Sequence, residues 1–209
     1  LYFILPSRLG KNGSSIKIIF RIELGSWGSL IKYDQIYNSI VTTHAFIIIF
    51  FIVIPFIIGG FGNFLVPFKL GPPDIAYPRI KNIRFLLPPS FFFLILRRFI
   101  NTGVGTGKIY PPLASNIYHK GASIDLSIFS LQIAGISSIL GPINFISTII
   151  KIHHKNFSID KIPLLVSILN TAIFILLSLP ILARGITIFF NGRKLKSFFF
   201  PPLPGGDQN

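Results

Sequence analysis

Apolar residues along this chain gather into long, nearly unbroken runs separated by short polar, turn-forming segments. Ser39–Phe68 is the clearest run. Ile83–Phe99 is shorter, interrupted by Pro88 and Pro89 and flanked by Arg84, Arg97 and Arg98. Ile124–Ile150 carries small and polar residues at close spacing (Ala134, Gly135, Ser137, Ser138, Gly141), which suits helix-on-helix packing in a bundle. Pro163–Phe190 is rich in Leu and Ile, with Pro180 placed to kink it. A helix needs roughly 20 apolar residues to cross a bilayer, so these runs predict transmembrane helices. Leu1–Leu24 is poorer, because Arg8, Lys11 and Lys17 interrupt it; by hydropathy alone it is not a span. The connections Gly25–Asn38, Lys69–Asn82, Asn101–Ser123 and Lys151–Lys161 are polar, and the tail Pro201–Asn209 is rich in Pro and Gly. The pattern predicts an all-α, polytopic bundle without a soluble domain, a repeat or a long linker.

Composition agrees. Of 209 residues, 51% are hydrophobic, too many for an ordinary soluble domain. Only 12% are charged, yet the net charge is +14. In a soluble protein that excess would point to nucleic acid. Here the cations lie between apolar runs, so anionic lipid headgroups are the expected contact and nucleic acid is not. Basic residues flank the runs on both expected sides, and the positive-inside rule therefore sets no orientation. There is no cysteine, which excludes disulfides, thiolate metal sites and cysteine nucleophiles. There is no methionine either, even at position 1, so the chain reads as one that does not begin at a normal start. Leu1–Leu5 is apolar but too short for a cleavable signal.

Several motifs carry little. Gly103-Val-Gly-Thr-Gly-Lys108 resembles a phosphate loop but lacks the first glycine and the Ser/Thr after lysine, and no strand precedes it. A turn between spans is the plainer reading. His153-His154 are neighbours in a basic loop and a weak metal pair. Asn12-Gly-Ser and Asn156-Phe-Ser match a glycosylation pattern too short to weigh.

His44 carries more. It lies near the start of the Thr42–Asn63 apolar stretch, and lipid offers an imidazole no water. Two readings stand: a helix histidine donating to a neighbouring helix, or an axial haem ligand in a dry pocket. Asp74 lies in the proline-stiffened loop Leu70-Gly-Pro-Pro-Asp-Ile-Ala-Tyr-Pro-Arg79. It is either a solvated loop carboxylate or the mouth of a proton path. Asn63, Ser137, Ser138 and Asn144 could continue such a path, or could bind helix to helix.

A set of ordered stretches then identifies a resemblance. They are Arg21-Ile-Glu-Leu-Gly25, Asp34-Gln-Ile-Tyr-Asn38, Thr42–Asn63 with Leu65-Val-Pro67, Pro73-Asp-Ile-Ala-Tyr-Pro-Arg79, Leu86-Leu-Pro-Pro-Ser90 and Gly105-Thr-Gly107. They continue through Tyr110-Pro-Pro-Leu113, Gly121-Ala-Ser-Ile-Asp125, Ile128-Phe-Ser-Leu131, Ala134–Phe145, Leu177-Ser-Leu-Pro180 and Gly185-Ile-Thr187. In this order they resemble the N-terminal part of subunit I of the mitochondrial haem–copper oxidases, which pass electrons from cytochrome c to oxygen and pump protons.

The resemblance implies a partial transmembrane domain over residues 1–209, with five spans at roughly 1–24, 39–68, 83–99, 124–150 and 163–190. It implies His44 as an axial ligand of the low-spin haem and Arg21 as the partner of that haem's formyl group. Glu23 and Gly28 match a peripheral sodium/calcium site. Asp74 matches the proton-uptake aspartate, and Asn63, Ser137, Ser138 and Asn144 match polar positions along its path. The other low-spin ligand, and every ligand of the high-spin haem and copper, belong to the full-length subunit beyond this stretch. The isolated piece is therefore expected to hold no haem stably and to be inactive. Expected surroundings are the mitochondrial inner membrane, the other oxidase subunits and, through the complex, cytochrome c. The alternatives are a quinol-oxidising relative and a nonfunctional product without a cofactor.

The departures from the family form a pattern. Lys81 and Arg84 stand where the path carries an asparagine and a serine. A fixed cation repels a proton and is costly to desolvate. Gln132 replaces a histidine. Arg97 and Arg98 stand where the family tends to have Ser, and Ile recurs where it favours Met, as around Ile47-Ile-Ile49 and Ile52. A tryptophan is missing after Phe85, Gly107 and Val166. One explanation covers these: an invertebrate mitochondrial gene translated with the standard code, its stop codons dropped. Retranslating the source DNA tests it.

Overall fold

The computed structural model of the chain describes residues 1–25, 27, 30–71, 73–83, 85–100, 121–152 and 163–195. Gly28, Arg84, the Gly103–Lys108 loop, His153-His154 and Asn156 lie outside the described residues.

Among the described residues six helical units follow in order. Helix α1 is Ile4–Gly25. Helix α2 runs from Asp34 to Leu70 without a break, 37 residues in all. Helices α3 and α4 are Pro78–Ile83 and Leu87–Phe99. Helices α5 and α6 are Ala122–Ile152 and Pro163–Lys194. The described residues are helical throughout apart from turns and connections, as the apolar runs predict.

Local chemistry sets several boundaries. Asp34 occupies the first turn of α2, where its charge meets the positive end of the helix dipole. Gly71 closes α2 at φ 82°, a left-handed conformation that suits glycine, and its N–H reaches the Pro67 carbonyl at 2.9 Å. Pro88 and Pro89 fall in the first turn of α4, where a missing N–H costs nothing. The Ile83–Phe99 run is thus divided: α3 ends at Ile83 and α4 begins at Leu87.

The middle of α2 is wound wider than an α-helix. Ile47–Val53 and Pro55–Gly62 are π-helical, with α-helical turns before and after. Such turns are rare and often mark functional helices. Ile54 lies between the two stretches, and the second opens on Pro55, which has no N–H to donate.

Among the described residues three helices are long and apolar enough to cross a membrane: α2, Ala122–Lys151 of α5 and Thr171–Lys194 of α6. Helix α1 is long enough but carries Arg8, Lys11 and Lys17. Helix α4 has 13 residues and spans about 20 Å, short of the roughly 30 Å hydrocarbon core.

The core is built in three patches. Leu9, Ile47, Phe51, Leu87 and Leu94 join α1, α2 and α4. Val66, Leu70, Phe145 and Ile149 join the end of α2 to α5. Ile124, Ile128 and Phe189 join α5 to α6. Buried serines line the contact between α4 and α5: Ser90 donates to the Ser130 carbonyl, and Ser123 donates to the Arg97 carbonyl at 2.9 Å. Arg97 is fully buried there. Its guanidinium donates to Thr43 Oγ1 at 2.7 Å and Ser127 Oγ at 3.0 Å, and lies 5.4 Å from the Phe46 ring centre.

Candidate functional site

His44 sits on α2, three residues before the first wide turn, and faces α1. Its Nδ1 is 2.9 Å from the Gly13 carbonyl oxygen. A carbonyl can only accept, so Nδ1 carries the proton, and in the neutral ring the lone pair is on Nε2. Gly13 makes this contact possible. A Cβ there would stand 3.0 Å from Ile48 Cδ1 and 3.3 Å from Ile47 Cγ2, so a larger residue would need those side chains to give way. Phe20 packs edge-on against the imidazole, with ring centres 5.3 Å apart. Arg21 follows Phe20 at the same end of α1 and is exposed.

The two readings of His44 therefore use different ring nitrogens. One nitrogen ties α2 to α1. The other is left as a base on a half-buried ring. Metal-binding histidines are commonly oriented in this way, by a second-nitrogen bond to a carbonyl. The donor chemistry fits one axial position of a haem. Among the described residues no group of three or more His, Cys, Asp or Glu converges on a single point.

The second cluster surrounds Asp74. After Gly71 the chain turns back over the end of α5, and four side chains fix it. Thr148 Oγ1 accepts from the Ala76 N–H at 2.9 Å. Asn144 Oδ1 accepts from the Tyr77 N–H at 3.1 Å, and Asn144 Nδ2 donates to the Tyr77 carbonyl at 3.0 Å. Lys151 donates to the Tyr77 hydroxyl at 2.7 Å. From α1's end of the molecule, the Tyr2 hydroxyl donates to the Lys81 carbonyl at 3.2 Å. Asn144 and Thr148 are both fully buried.

Asp74 itself remains half exposed. Its Oδ1 accepts from the Ile75 N–H at 2.8 Å and from the Lys81 ammonium at 3.2 Å. The Ile75 N–H is the main cause holding the carboxyl below its ordinary value. Partial burial pushes the other way, and Lys81 adds to the lowering through its hydrogen bond and its charge. In this arrangement Asp74 is an ion-paired carboxylate and a weak proton acceptor.

Asn63 opens the final α-helical turns of α2. Its Nδ2 donates to the Gly59 carbonyl, while its Oδ1 is buried without a hydrogen-bond partner among the described residues. Ser137 and Ser138 line a cavity of about 20 Å³ with Tyr2, Pro55, Gly59 and Gly141. That is room for one water molecule beside the polar groups. The structure thus places Asn144 at the Asp74 loop and Ser137 and Ser138 around one small void between α2 and α5.

Glu23, at the end of α1, accepts two backbone N–H groups on Oε2: Leu30 at 2.9 Å and Ile31 at 3.0 Å. The carboxylate thereby folds the following connection around itself. Thr148, Tyr77 and Lys151 were not evident as site residues from sequence. A signal existed for Thr148, which lies four residues after Asn144 and so on the same helix face.

Comparisons with known proteins extend over the whole chain. A family model described as "Cytochrome C and Quinol oxidase polypeptide I" matches residues 1–209. The chain is 42% identical over 212 residues to cytochrome c oxidase subunit 1 of Eremothecium gossypii, a match covering 99% of this chain and 40% of that protein. It is likewise 42% identical over 212 residues to cytochrome c oxidase subunit 1 of Yarrowia lipolytica, with the same coverage. The chain thus spans about two fifths of the length of the curated relatives it matches.

Proposed function

Because this chain belongs to the cytochrome c and quinol oxidase polypeptide I family, whose members bind haem and copper, we propose that it is the low-spin-haem and proton-uptake portion of the catalytic subunit of a respiratory terminal oxidase. The whole enzyme would pass electrons from cytochrome c to oxygen, reduce it to water and pump protons. The name of both relatives supports cytochrome c over quinol as donor. The mitochondrial inner membrane, five spans and further oxidase subunits belong to the same reading.

One observation carries it: His44 Nδ1 donates to the Gly13 carbonyl and leaves Nε2 available. When bound, the haem supplies a one-electron carrier. The chain's own contribution is to fix the imidazole's tautomer and plane, to shield it with Phe20, and to bring Arg21 to the same end of α1 for the haem's formyl group. Asp74 would take up protons, with Asn63, Ser137, Ser138 and Asn144 along the path beyond it. Glu23 and Gly28 would hold a peripheral sodium or calcium ion. The second axial ligand and all ligands of copper and the high-spin haem lie outside these residues. The chain alone is therefore expected to be inactive and to bind no haem stably.

A chimera tests the assignment. Residues 1–209 replace the matching region of the Yarrowia lipolytica subunit, which supplies the missing ligands. The expected result is a low-spin haem band that disappears in His44→Ala. An assembled chimera whose band survives that substitution would remove His44 from the ligand set.

A second reading rests on Arg97. Its burial among hydroxyls, beside Ser39, Thr43, Ser123 and Ser127, describes a place where a serine would continue the buried serine row. This supports translation of a mitochondrial gene with the wrong genetic code. The source DNA decides it: a codon at position 97 read as arginine in every code would sink the idea.

A further inference from the structure

Helix α1 buries one face and leaves a polar one open. Pro6, Leu9 and Gly13 are buried, at intervals that return to the same side of the helix, and Leu9 and Gly13 meet α2 there. Ser7, Arg8, Lys11, Asn12, Ser14 and Ser15 are exposed. Apolar residues are exposed towards the ends: Ile4, Ile18 and Ile22 are 59%, 60% and 50% exposed. Arg8 and Lys11 stand towards the middle of the helix, with Lys17 and Arg21, also exposed, nearer its end.

The pairing of α1 with α2 gives the depth of the Arg8–Lys11 patch. The Cβ position of Gly59 meets the Tyr2 ring, that of Gly60 meets Phe3, and that of Gly13 meets Ile48 and Ile47. Gly10 lies 3.8 Å from Ile52 by the same measure. The two helices are antiparallel, and residues 8–13 of α1 lie level with the centre of α2. Since α2 has the length and composition of a membrane span, Arg8 and Lys11 stand near mid-depth on an open face. Cations in hydrocarbon are costly and are found against protein or water rather than lipid tails.

Among the described residues no carboxylate serves this patch. The chain has 6 acidic residues against 20 Lys and Arg. Glu23 is taken by the Leu30 and Ile31 amides, Asp74 by Lys81, and Asp125 by Arg193 and Lys194. Asp34 begins α2, at the far end from its centre. The relatives are longer by more than this chain's own length, which leaves room for further helices beyond these residues.

We propose that the Arg8–Lys11 patch of α1 is an interface for another membrane helix carrying a carboxylate at mid-depth. The partner's acid would meet the two cations. The Ser14 and Ser15 hydroxyls, small and on the same face, would let it approach closely.

The test uses the chain as it stands, in phosphatidylcholine vesicles. Its only tryptophan, Trp27, is fully exposed near the end of α1 and serves as energy-transfer donor. The probes are dansyl-labelled Leu/Ala transmembrane peptides with a central Glu, Gln or Lys. The Glu peptide should associate about tenfold more tightly than the Lys peptide, the order that one polar contact between helices supplies in lipid. Arg8→Leu with Lys11→Leu should abolish the preference, and Arg8→Glu with Lys11→Glu should reverse it. Equal association of the three peptides, or a preference for Glu that survives charge reversal, would overturn the proposal. Lys11→Cys labelled equally by an aqueous maleimide with and without the Glu peptide would also overturn it, since the patch would then face water.

Discussion

The side-chain amide of Asn144 binds both backbone groups of Tyr77, accepting from its N–H at 3.1 Å and donating to its carbonyl at 3.0 Å. A single side chain thus supplies what a neighbouring strand would. Asn144→Ala should cost about 1–3 kcal/mol, because it leaves a partly buried donor and acceptor without partners. Hydrogen exchange at the Tyr77 amide should accelerate. Asn144→Asp keeps the acceptor and should fall between the two.

Thr148 supports the same loop one helical turn further on, accepting from Ala76 while donating to the Asn144 carbonyl. Thr148→Val conserves the shape and removes both bonds. A loss of about 1–3 kcal/mol is expected for a buried hydroxyl of this kind. Thr148→Ser should recover most of it, read by thermal unfolding in detergent.

The Asp74 carboxyl lies below its ordinary value, so folding favours its ionised form. Its contribution to stability is complete above the ordinary carboxylate range, near ~4, and fades as pH falls through the lowered folded value. Asp74→Asn should flatten the acid limb of a stability–pH curve, lowering stability at neutral pH and leaving the acid end little changed. Lys81→Asn should raise the Asp74 titration only partway, because the Ile75 N–H remains. Infrared titration of the carboxyl band distinguishes the three chains. An unshifted midpoint in Lys81→Asn would show that the ion pair contributes nothing.

Asp125 lies in the first turn of α5 and meets the last turn of α6, with Arg193 Nε at 2.9 Å and Lys194 Nζ at 2.7 Å. Acid and base each sit at the helix end whose dipole favours them. The Arg193 side chain is 2% exposed and that of Asp125 9%. Asp125→Ala should therefore cost about 3–5 kcal/mol by stranding a buried guanidinium. Replacing both residues with apolar ones of similar volume should cost much less, which a double-mutant cycle would show.

Gly62 admits the Phe145 ring: a Cβ there would stand 2.5 Å from it. Gly62→Ala should destabilise the contact between α2 and α5 by about 1–3 kcal/mol through overpacking. Phe145→Leu, harmful alone, should soften the effect of Gly62→Ala when the two are combined.

Length and polarity made the helices legible. Ser39–Phe68 falls inside α2, and Ile124–Ile150 inside α5, because an uninterrupted apolar run leaves few alternatives. The pair Pro88-Pro89 could be seen as a break, but its role as the start of α4 depends on where the backbone turns. The wide turns of α2 were invisible: a run such as Ile47-Ile-Ile-Phe-Phe-Ile-Val53 has no polar residue to mark which face rotates. His44 stood out through its apolar surroundings. Its partner Gly13 did not, since the bond joins backbone to side chain across 31 residues. Asn144 was visible as a polar residue on a span, whereas its grip on Tyr77 needed the loop to be placed.

The two π-helical stretches give α2 an elastic property. A wider turn climbs less per residue than the 1.5 Å of an α-helix, so the 37 residues hold more chain than their height requires. Rewinding Ile47–Val53 or Pro55–Gly62 into α-helical register would lengthen the rod without adding a residue. Helices usually meet a thicker or thinner bilayer by tilting. This one also carries slack in its centre, between His44 and Asn63, so rewinding either stretch would move those two side chains apart along the helix.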